Sequence, residues 1–417
     1  MRKEARSPQR RAQARCARYA MYAIRSESSV RILIDALSVV PGETGGGETY
    51  IQELVNALGE VDHRNNYLVL VSPDSLHLFA DLGQNFSFLT VKINNRLRPV
   101  RVLYEQLYLP VLARRWGANV IHFPGNIISL TCSLLGIPSV VTIQDASPLF
   151  YLSNFPSYVR KLRTRILIFL TRYAAKHSHA VITATKFSQR EICTWTNVSA
   201  HKVFVVPHGC PHKSDLNVDQ ASTLRRYGLV QPYVVIVGRA NKHKNLDFFV
   251  RAFAQAKRTY NFPHQLVIAG PAGSGHIDLL ASVAESRAEH FVRLIGYVPA
   301  NDLPAIYQSS DLFAMPSLYE GFGFPVLEAM QLGVPTLLSS AASLPEVGGD
   351  AAVYVDPRDL TSIGTMLGKV LTDDALRRRL GDRGKIQAAK FSWQKTALET
   401  IAVYEKVMEE AKARARH

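Results

Sequence analysis

Short β-rich runs alternate with helical periods along most of the chain, and that alternation restricts it to parallel strands joined by crossover helices. It occurs twice. The first train predicts strands at 31–38, 67–72, 120–123, 139–143, 180–183 and 203–206, with helices at 48–58, 102–116 and 157–176. A polar stretch at 211–231 has no sustained periodicity until 222–227. The pattern then restarts, with strands at 233–237, 265–269, 292–295, 311–315 and 335–338. A last helix at 392–413 is long enough to cross back onto the first train. The expected fold is α/β: two Rossmann-like, doubly wound parallel-sheet domains facing a cleft. One occupies 30–210 and is completed by the returning helix at 395–417; the other occupies 211–394. Open α/β sheets bind ligands beyond the carboxyl ends of their strands, so the site is expected between the halves.

A length of 417 residues suits two such domains, and 47% hydrophobic with 20% charged residues is a globular composition. No apolar run approaches the ~18 residues of a membrane span. Cys16, Cys132, Cys193 and Cys210 show no CxxC or metal-ligand spacing and read as reduced thiols of a cytoplasmic protein. The net charge of +15 is uneven, with 25 Lys/Arg against 13 Asp/Glu in residues 1–210 and 24 against 21 in the rest. An anionic partner of the first half is expected: membrane phospholipid, a phosphorylated acceptor or nucleic acid. Nucleic acid is disfavoured, because the chain has no zinc spacing, helix-turn-helix signature or aromatic RNA motif. Residues 1–29 read as a basic, disordered leader lacking the apolar core of a secretory signal, with Met21 an alternative start.

The densest chemistry lies at 316–333, PSLYEGFGFPVLEAMQLG. It follows a predicted strand and opens a helix. Pro325 is expected at the first helical position and Glu328 in the first turn. Gly321 and Gly323 let the backbone approach a ligand, leaving the amides of Gly321, Phe322, Gly323 and Phe324 at a helix N-terminus as an anion site. Two carboxylates beside an anion site conflict unless they grip the neutral hydroxyls flanking a diphosphate, Glu320 on the sugar and Glu328 on the ribose. On its own, Glu328 reads rather as a first-turn acid complementing the helix dipole; Glu320 and the glycines beside it turn the reading to ligand binding. At 234–244, VVIVGRANKHK, a buried strand is followed by Arg239 and Lys244, cations placed to neutralise a diphosphate.

These pieces resemble the retaining glycosyltransferases of family 4, which have the two-domain GT-B architecture. The family's Glu-x7-Glu hallmark is similar to Glu320 and Glu328 within EGFGFPVLE. GRANKHKN at 238–245, VVPHG at 205–209, SLPEV at 343–347, VDP at 355–357 and FSWQKTALETIAVY at 391–404 extend the likeness from about residue 30 to the end. The resemblance implies that Arg239 and Lys244 hold the donor diphosphate with the loop amides, and that Glu328 holds the ribose and Glu320 the transferred sugar. It also implies that Gly46 and Gly47 face the phosphate and acceptor from the other half, making 30–210 the acceptor-side domain and 211–394 the donor domain.

The function so implied is transfer of a hexose, with GDP-mannose favoured over UDP-hexoses, onto a saccharide or lipid-linked acceptor with retention of configuration. No Asp-x-Asp occurs anywhere in the chain, so no metal and no other cofactor is expected, and the fixed cations take the metal's place. Asp145 is the best additional catalytic candidate. Gln144 stands where the family often has histidine, and His122 and His208 read as structural. The basic helix at 157–176 reads either as a peripheral contact with an anionic membrane at the inner face of the plasma membrane or as an ordinary core-packing helix. A sugar-nucleotide epimerase and a non-catalytic sugar-nucleotide binder remain as alternatives.

Overall fold

The computed structural model describes residues 29–42, 45–79, 82–211 and 219–415. Residues 1–28 of the expected leader, with Cys16 and Met21, lie outside them, as does 212–218 of the expected linker. Among the described residues no helix is long and apolar enough to cross a membrane.

Seven parallel strands make the first sheet: β1 (Arg31–Asp35), β2 (Asn66–Val71), β3 (Phe86–Thr90), β4 (Val120–Phe123), β5 (Ser139–Thr142), β6 (Ala180–Thr183) and β7 (Val203–Val205). Their order is β3-β2-β1-β4-β5-β6-β7. The second sheet has β8 (Tyr233–Val237), β9 (Gln265–Ala269), β10 (Val292–Gly296), β11 (Leu312–Met315), β12 (Thr336–Ser339) and β13 (Val353–Val355), ordered β10-β9-β8-β11-β12-β13. Central strands such as β1 and β8 are nearly continuous Val/Ile/Leu runs because helices cover both faces. Strand order reverses between β1 and β4 and again between β8 and β11, and such switch points open a crevice at the carboxyl ends. The glycines at 45–47 follow β1, Arg239 and Lys244 follow β8, and Glu320 follows β11.

Three sequence expectations are corrected. β3 and β13 were not expected. FSFLT is half-exposed along most of its length and VYV is three residues long, so neither presents a buried run. The helix expected at 102–116 is two helices, Arg98–Leu107 and Leu109–Trp116. Pro110 has no N–H to give the Gln106 carbonyl, and the Thr131 hydroxyl takes that acceptor instead at 2.6 Å. The basic helix starts at Lys161, after a 3-10 turn at Pro156–Tyr158.

The last helix, Trp393–Ala415, returns to the first sheet and packs along the helix Gly46–Val61. Trp393, Ala397, Val403, Tyr404 and Val407 join the core on that face. A buried polar chain fastens it there. The Tyr404 hydroxyl meets Nδ1 of His122 at 2.7 Å, His122 Nε2 meets the Thr142 hydroxyl at 2.8 Å, and Thr142 meets the Tyr50 hydroxyl at 2.8 Å. His208 lies in an aromatic cage, parallel to Phe324 and Trp393 at 5.5 and 5.9 Å between centroids. Burial lowers the pKa of both imidazoles to about 3.

Two outcomes are expected. Tyr404→Phe leaves a buried His122 nitrogen unpaired and lowers the unfolding free energy by about 1–3 kcal/mol, read from urea titration. Neutral His122 and His208 also make the fold acid-sensitive. Unfolded histidine takes up a proton below about pH 6.5 while the folded ones do not, so stability rises with pH between about 3 and 6.5. Acidification from pH 7 to 4.5 therefore lowers the melting temperature, and His122→Gln flattens that dependence.

Candidate active site

The loop after β11 is the centre of the cleft. Gly323 has φ 108°, a left-handed conformation that suits glycine, and caps the helix Phe324–Gln331. Ser343 pins the loop by donating to the carbonyls of Glu320 (2.8 Å) and Phe322 (3.3 Å), and the Leu318 amide donates to the His243 carbonyl at 2.7 Å. The amides of Gly321, Phe322, Gly323 and Phe324 donate to no acceptor among the described residues. Across the cleft, Gly46 and Gly47 are the first two residues of the helix Gly46–Val61, and a Cβ on Gly46 would lie 3.4 Å from the Phe324 ring. Two helix N-termini, each with partial positive charge, therefore converge on one space.

Lys244 joins this loop. Its ammonium stands 2.7 Å from Oε1 of Glu320 and reaches over Gly238. Burial works against ionisation of Glu320, but the Lys244 ammonium outweighs it and holds the carboxyl below its usual range. An ammonium carries three donors, so one bond to Glu320 leaves two for an anion. Arg239, at the end of β8, is exposed and has no ion-pair partner among the described residues. The geometry thus gathers Glu320, Lys244, the loop glycines and Gly46.

The first domain meets the same loop through β5. A Cβ on Gly321 would sit 2.8 Å from the Asp145 Cβ and 3.0 Å from the Gln144 carbonyl, so only glycine fits. Asp145 donates nothing and accepts from the Ser147 amide at 2.8 Å; burial, with Glu320 nearby, raises its pKa. Gln144 accepts from His208 Nε2 at 2.8 Å, while its own amide nitrogen is buried without a partner.

Glu328 differs from expectation. It is the fifth residue of its helix, beyond the first turn, and Pro325 is the second. Its Oε2 accepts from the buried Tyr307 hydroxyl at 2.7 Å, and burial raises its pKa. Its other oxygen stays available for a ligand hydroxyl.

Three contributors carried no sequence signal of their role. The Glu346 carboxylate, within SLPEV, accepts from the amides of Lys186 (2.7 Å) and Phe187 (2.6 Å) at the start of the helix Lys186–Thr196. The Tyr319 hydroxyl accepts from the Ala146 amide at 3.0 Å. The Tyr151 hydroxyl meets His243 Nδ1 at 2.7 Å. All three bridge the two domains.

Comparison with known proteins shows the family and the fold. Residues 44–213 match the family model described as Glycosyltransferase Family 4, and residues 227–387 match Glycosyl transferases group 1. O-antigen chain mannosyltransferase B of Escherichia coli is 32% identical over 271 residues, covering 64% of this chain and 70% of that protein. The serotype-specific mannosyltransferase WbdA of Escherichia coli is 27% identical over 365 residues, covering 84% of this chain, which spans only 44% of WbdA. Among solved structures, sucrose-phosphate synthase from Thermosynechococcus elongatus superposes with a TM-score of 0.70 at 18% identity, covering 91% of this chain and 100% of that one. Matched on both halves and related to a mannosyltransferase along most of its length, the chain belongs to the group 1 glycosyltransferases of family 4, on the GT-B fold.

Proposed function

We propose that this enzyme transfers a hexose from a nucleotide diphosphate donor, GDP-mannose, to a saccharide or lipid-linked acceptor, with retention and without a metal. Residues 211–394 bind the donor, and residues 30–210 with the returning helix bind the acceptor. The observation that carries the reading is the Lys244 ammonium, 2.7 Å from Glu320 and beside four unpaired amides at a helix N-terminus. The similarity to mannosyltransferases favours mannose as the transferred sugar.

In this reading the pyrophosphate lies against the amides of Gly321, Phe322, Gly323 and Phe324, with Lys244 and Arg239 on its oxygens. Gly46 and Gly47 close it from the first domain. Glu320 holds sugar hydroxyls, Glu328 the ribose hydroxyls, and Asp145 contacts the sugar from the opposite wall. The acceptor oxygen attacks the anomeric carbon on the face that the leaving group departs from. The bond from that carbon to the phosphate oxygen breaks, and the leaving phosphate takes the acceptor's proton. Charge grows on the leaving oxygen, where fixed donors and cations stabilise the transition state more than the ground state. No carboxylate nucleophile is required. A peripheral contact with an anionic membrane, on the cytoplasmic side, is proposed beside this reading and does not depend on it.

A thermal-shift panel of GDP-, UDP- and ADP-sugars tests the donor. GDP-mannose is expected to raise the melting temperature most, and transfer is expected to survive excess EDTA. An equal response to all three nucleotides, or loss of activity in EDTA restored by a divalent ion, would overturn the assignment. Substitution separates the two glutamates. Glu328→Ala removes hydrogen bonds from a charged group and raises the donor KM roughly 10- to 100-fold with kcat little changed. Glu320→Gln lowers kcat roughly 100-fold or more while nucleoside diphosphate affinity stays within a fewfold. Steady-state kinetics with nucleotide-binding titrations read both.

A further inference from the structure

Two helices on one face of the first sheet expose rows of large apolar side chains instead of burying them. Along Arg98–Leu107 no residue is buried, and Val100, Leu103 and Leu107 form one stripe, with Leu103 and Leu107 58% and 56% exposed. Along Lys161–His177 only Thr171, Ala174 and Ala175 are buried, all in the second half. Its first half turns Leu162, Ile166 and Phe169 outward, 75%, 52% and 66% exposed. Soluble proteins rarely leave such stripes bare, and contiguous ones mark a surface that something else covers.

The charges say what covers it. Residues 160–177 contain Arg160, Lys161, Arg163, Arg165, Arg172 and Lys176 and no acid. In the other helix the single acid, Glu105, is spent on Arg101 at 3.1 Å. The two helices are close enough for Arg163 to act on Arg98. Burial first, and then repulsion from Arg163 and Arg101, lowers the Arg98 guanidinium below its ordinary value. Apart from Arg101, which faces Glu105 and Asp35, none of these arginines and lysines has an ion-pair partner among the described residues. A nucleic acid would use the arginines but not the Leu, Ile and Phe tips; a bilayer of anionic lipid uses both, phosphates on the charges and acyl chains on the tips.

We infer that Arg98–Leu107 and Lys161–His177 form a single docking face that seats the enzyme on an anionic bilayer beside the mouth of the cleft. Tyr158, four residues before Leu162, donates to Asp278 of the second domain at 2.9 Å, so the face begins where the two domains meet. An acceptor whose lipid tail stays in the membrane then reaches the site with its saccharide. That use of the position rests on the transfer reading; the docking does not.

Cosedimentation of the full chain with vesicles of phosphatidylcholine alone, or mixed with phosphatidylglycerol, tests it. Binding is expected only to the mixed vesicles and is expected to weaken with salt. Arg163→Glu with Arg165→Glu lowers partitioning roughly thirtyfold or more, taking about a fivefold loss for each charge removed. Leu162→Ser with Phe169→Ser lowers it at least roughly tenfold. These side chains are exposed, so the melting temperature and the donor-induced shift are expected to stay unchanged in both variants. Absence of binding to phosphatidylglycerol vesicles at low salt overturns the proposal, as does binding that the Leu162 and Phe169 changes leave intact. RNA binding in place of vesicle binding, lost only in the arginine variant, assigns the face to nucleic acid and overturns it too. A failed donor panel with intact vesicle binding removes the transfer reading and leaves the docking face standing.

Discussion

The closeness of Gly321 to Asp145 governs the cleft. A methyl group at Gly321 would lie 2.8 Å from the Asp145 Cβ, so the walls of the cleft meet only because that side chain is absent. The Gly321 carbonyl also accepts from the hydroxyls of Thr185 (3.1 Å) and Ser188 (3.3 Å), placing one peptide in contact with the loops after β5 and β6. Glu320 and Phe322 flank that peptide. Their directions, and with them the distance from the carboxylate of Glu320 to the amides of the helix Phe324–Gln331, follow from this contact. Thr185 and Gly321, 136 residues apart in the chain, would not otherwise share one wall of the cleft.

Electrostatics then decides how two acids coexist beside an anion site. Asp145 and Glu320 repel, and burial disfavours charge on both, yet only Asp145 has its pKa raised. The difference is Lys244. Its ammonium neutralises Glu320 and retains two further donors. Arg239 has no comparable partner among the described residues, which leaves a delocalised fork free for a bidentate oxyanion.

Much of this was legible in the sequence because it is local. The alternation of buried strands and helices gave eleven of the strands within a few residues, and the edge strands β3 and β13 were missed because an edge strand needs no continuous buried run. EGFGFP and GRANKHK each lie within a single βα turn, so the proximity of Glu320, Lys244 and the glycines could be read directly. What escaped depends on pairs brought together by the fold. Tyr307 and Glu328 are 21 residues apart, Gln144 and His208 are 64, and Glu346 and Lys186 are 160. No periodicity or spacing encodes which of many tyrosines or backbone amides will face a given carboxylate. The split of the helix at Tyr108 was readable in principle from Pro110, but the cost of a missing donor at that position depends on whether another group, here Thr131, meets the orphaned carbonyl.

The interdomain joint mixes polar and apolar contacts. Along the cleft the domains touch through Glu346 on the amides of Lys186 and Phe187, Tyr151 on His243 and Tyr158 on Asp278, and through Phe150 stacked on Tyr319 at 4.7 Å between centroids. Each such hydrogen bond exchanges with water and nets only about 0.5–1.5 kcal/mol, so the Tyr319 ring contacts carry a comparable share. Where the chain passes between domains, a backbone hydrogen bond adjoins a larger apolar cluster. The Cys210 amide donates to the Phe391 carbonyl at 3.1 Å, and Gly209 lies against Trp393, where a Cβ would fall 2.4 Å from the Trp393 nitrogen. Both crossings of the chain therefore run side by side, with Trp393 buried between His208, Tyr50 and Phe324. Separation along the cleft breaks exchangeable hydrogen bonds and the Tyr319 ring contacts, whereas separation at the crossings would expose the cluster around Trp393. The larger apolar cluster lies where both crossings of the chain hold the domains in register.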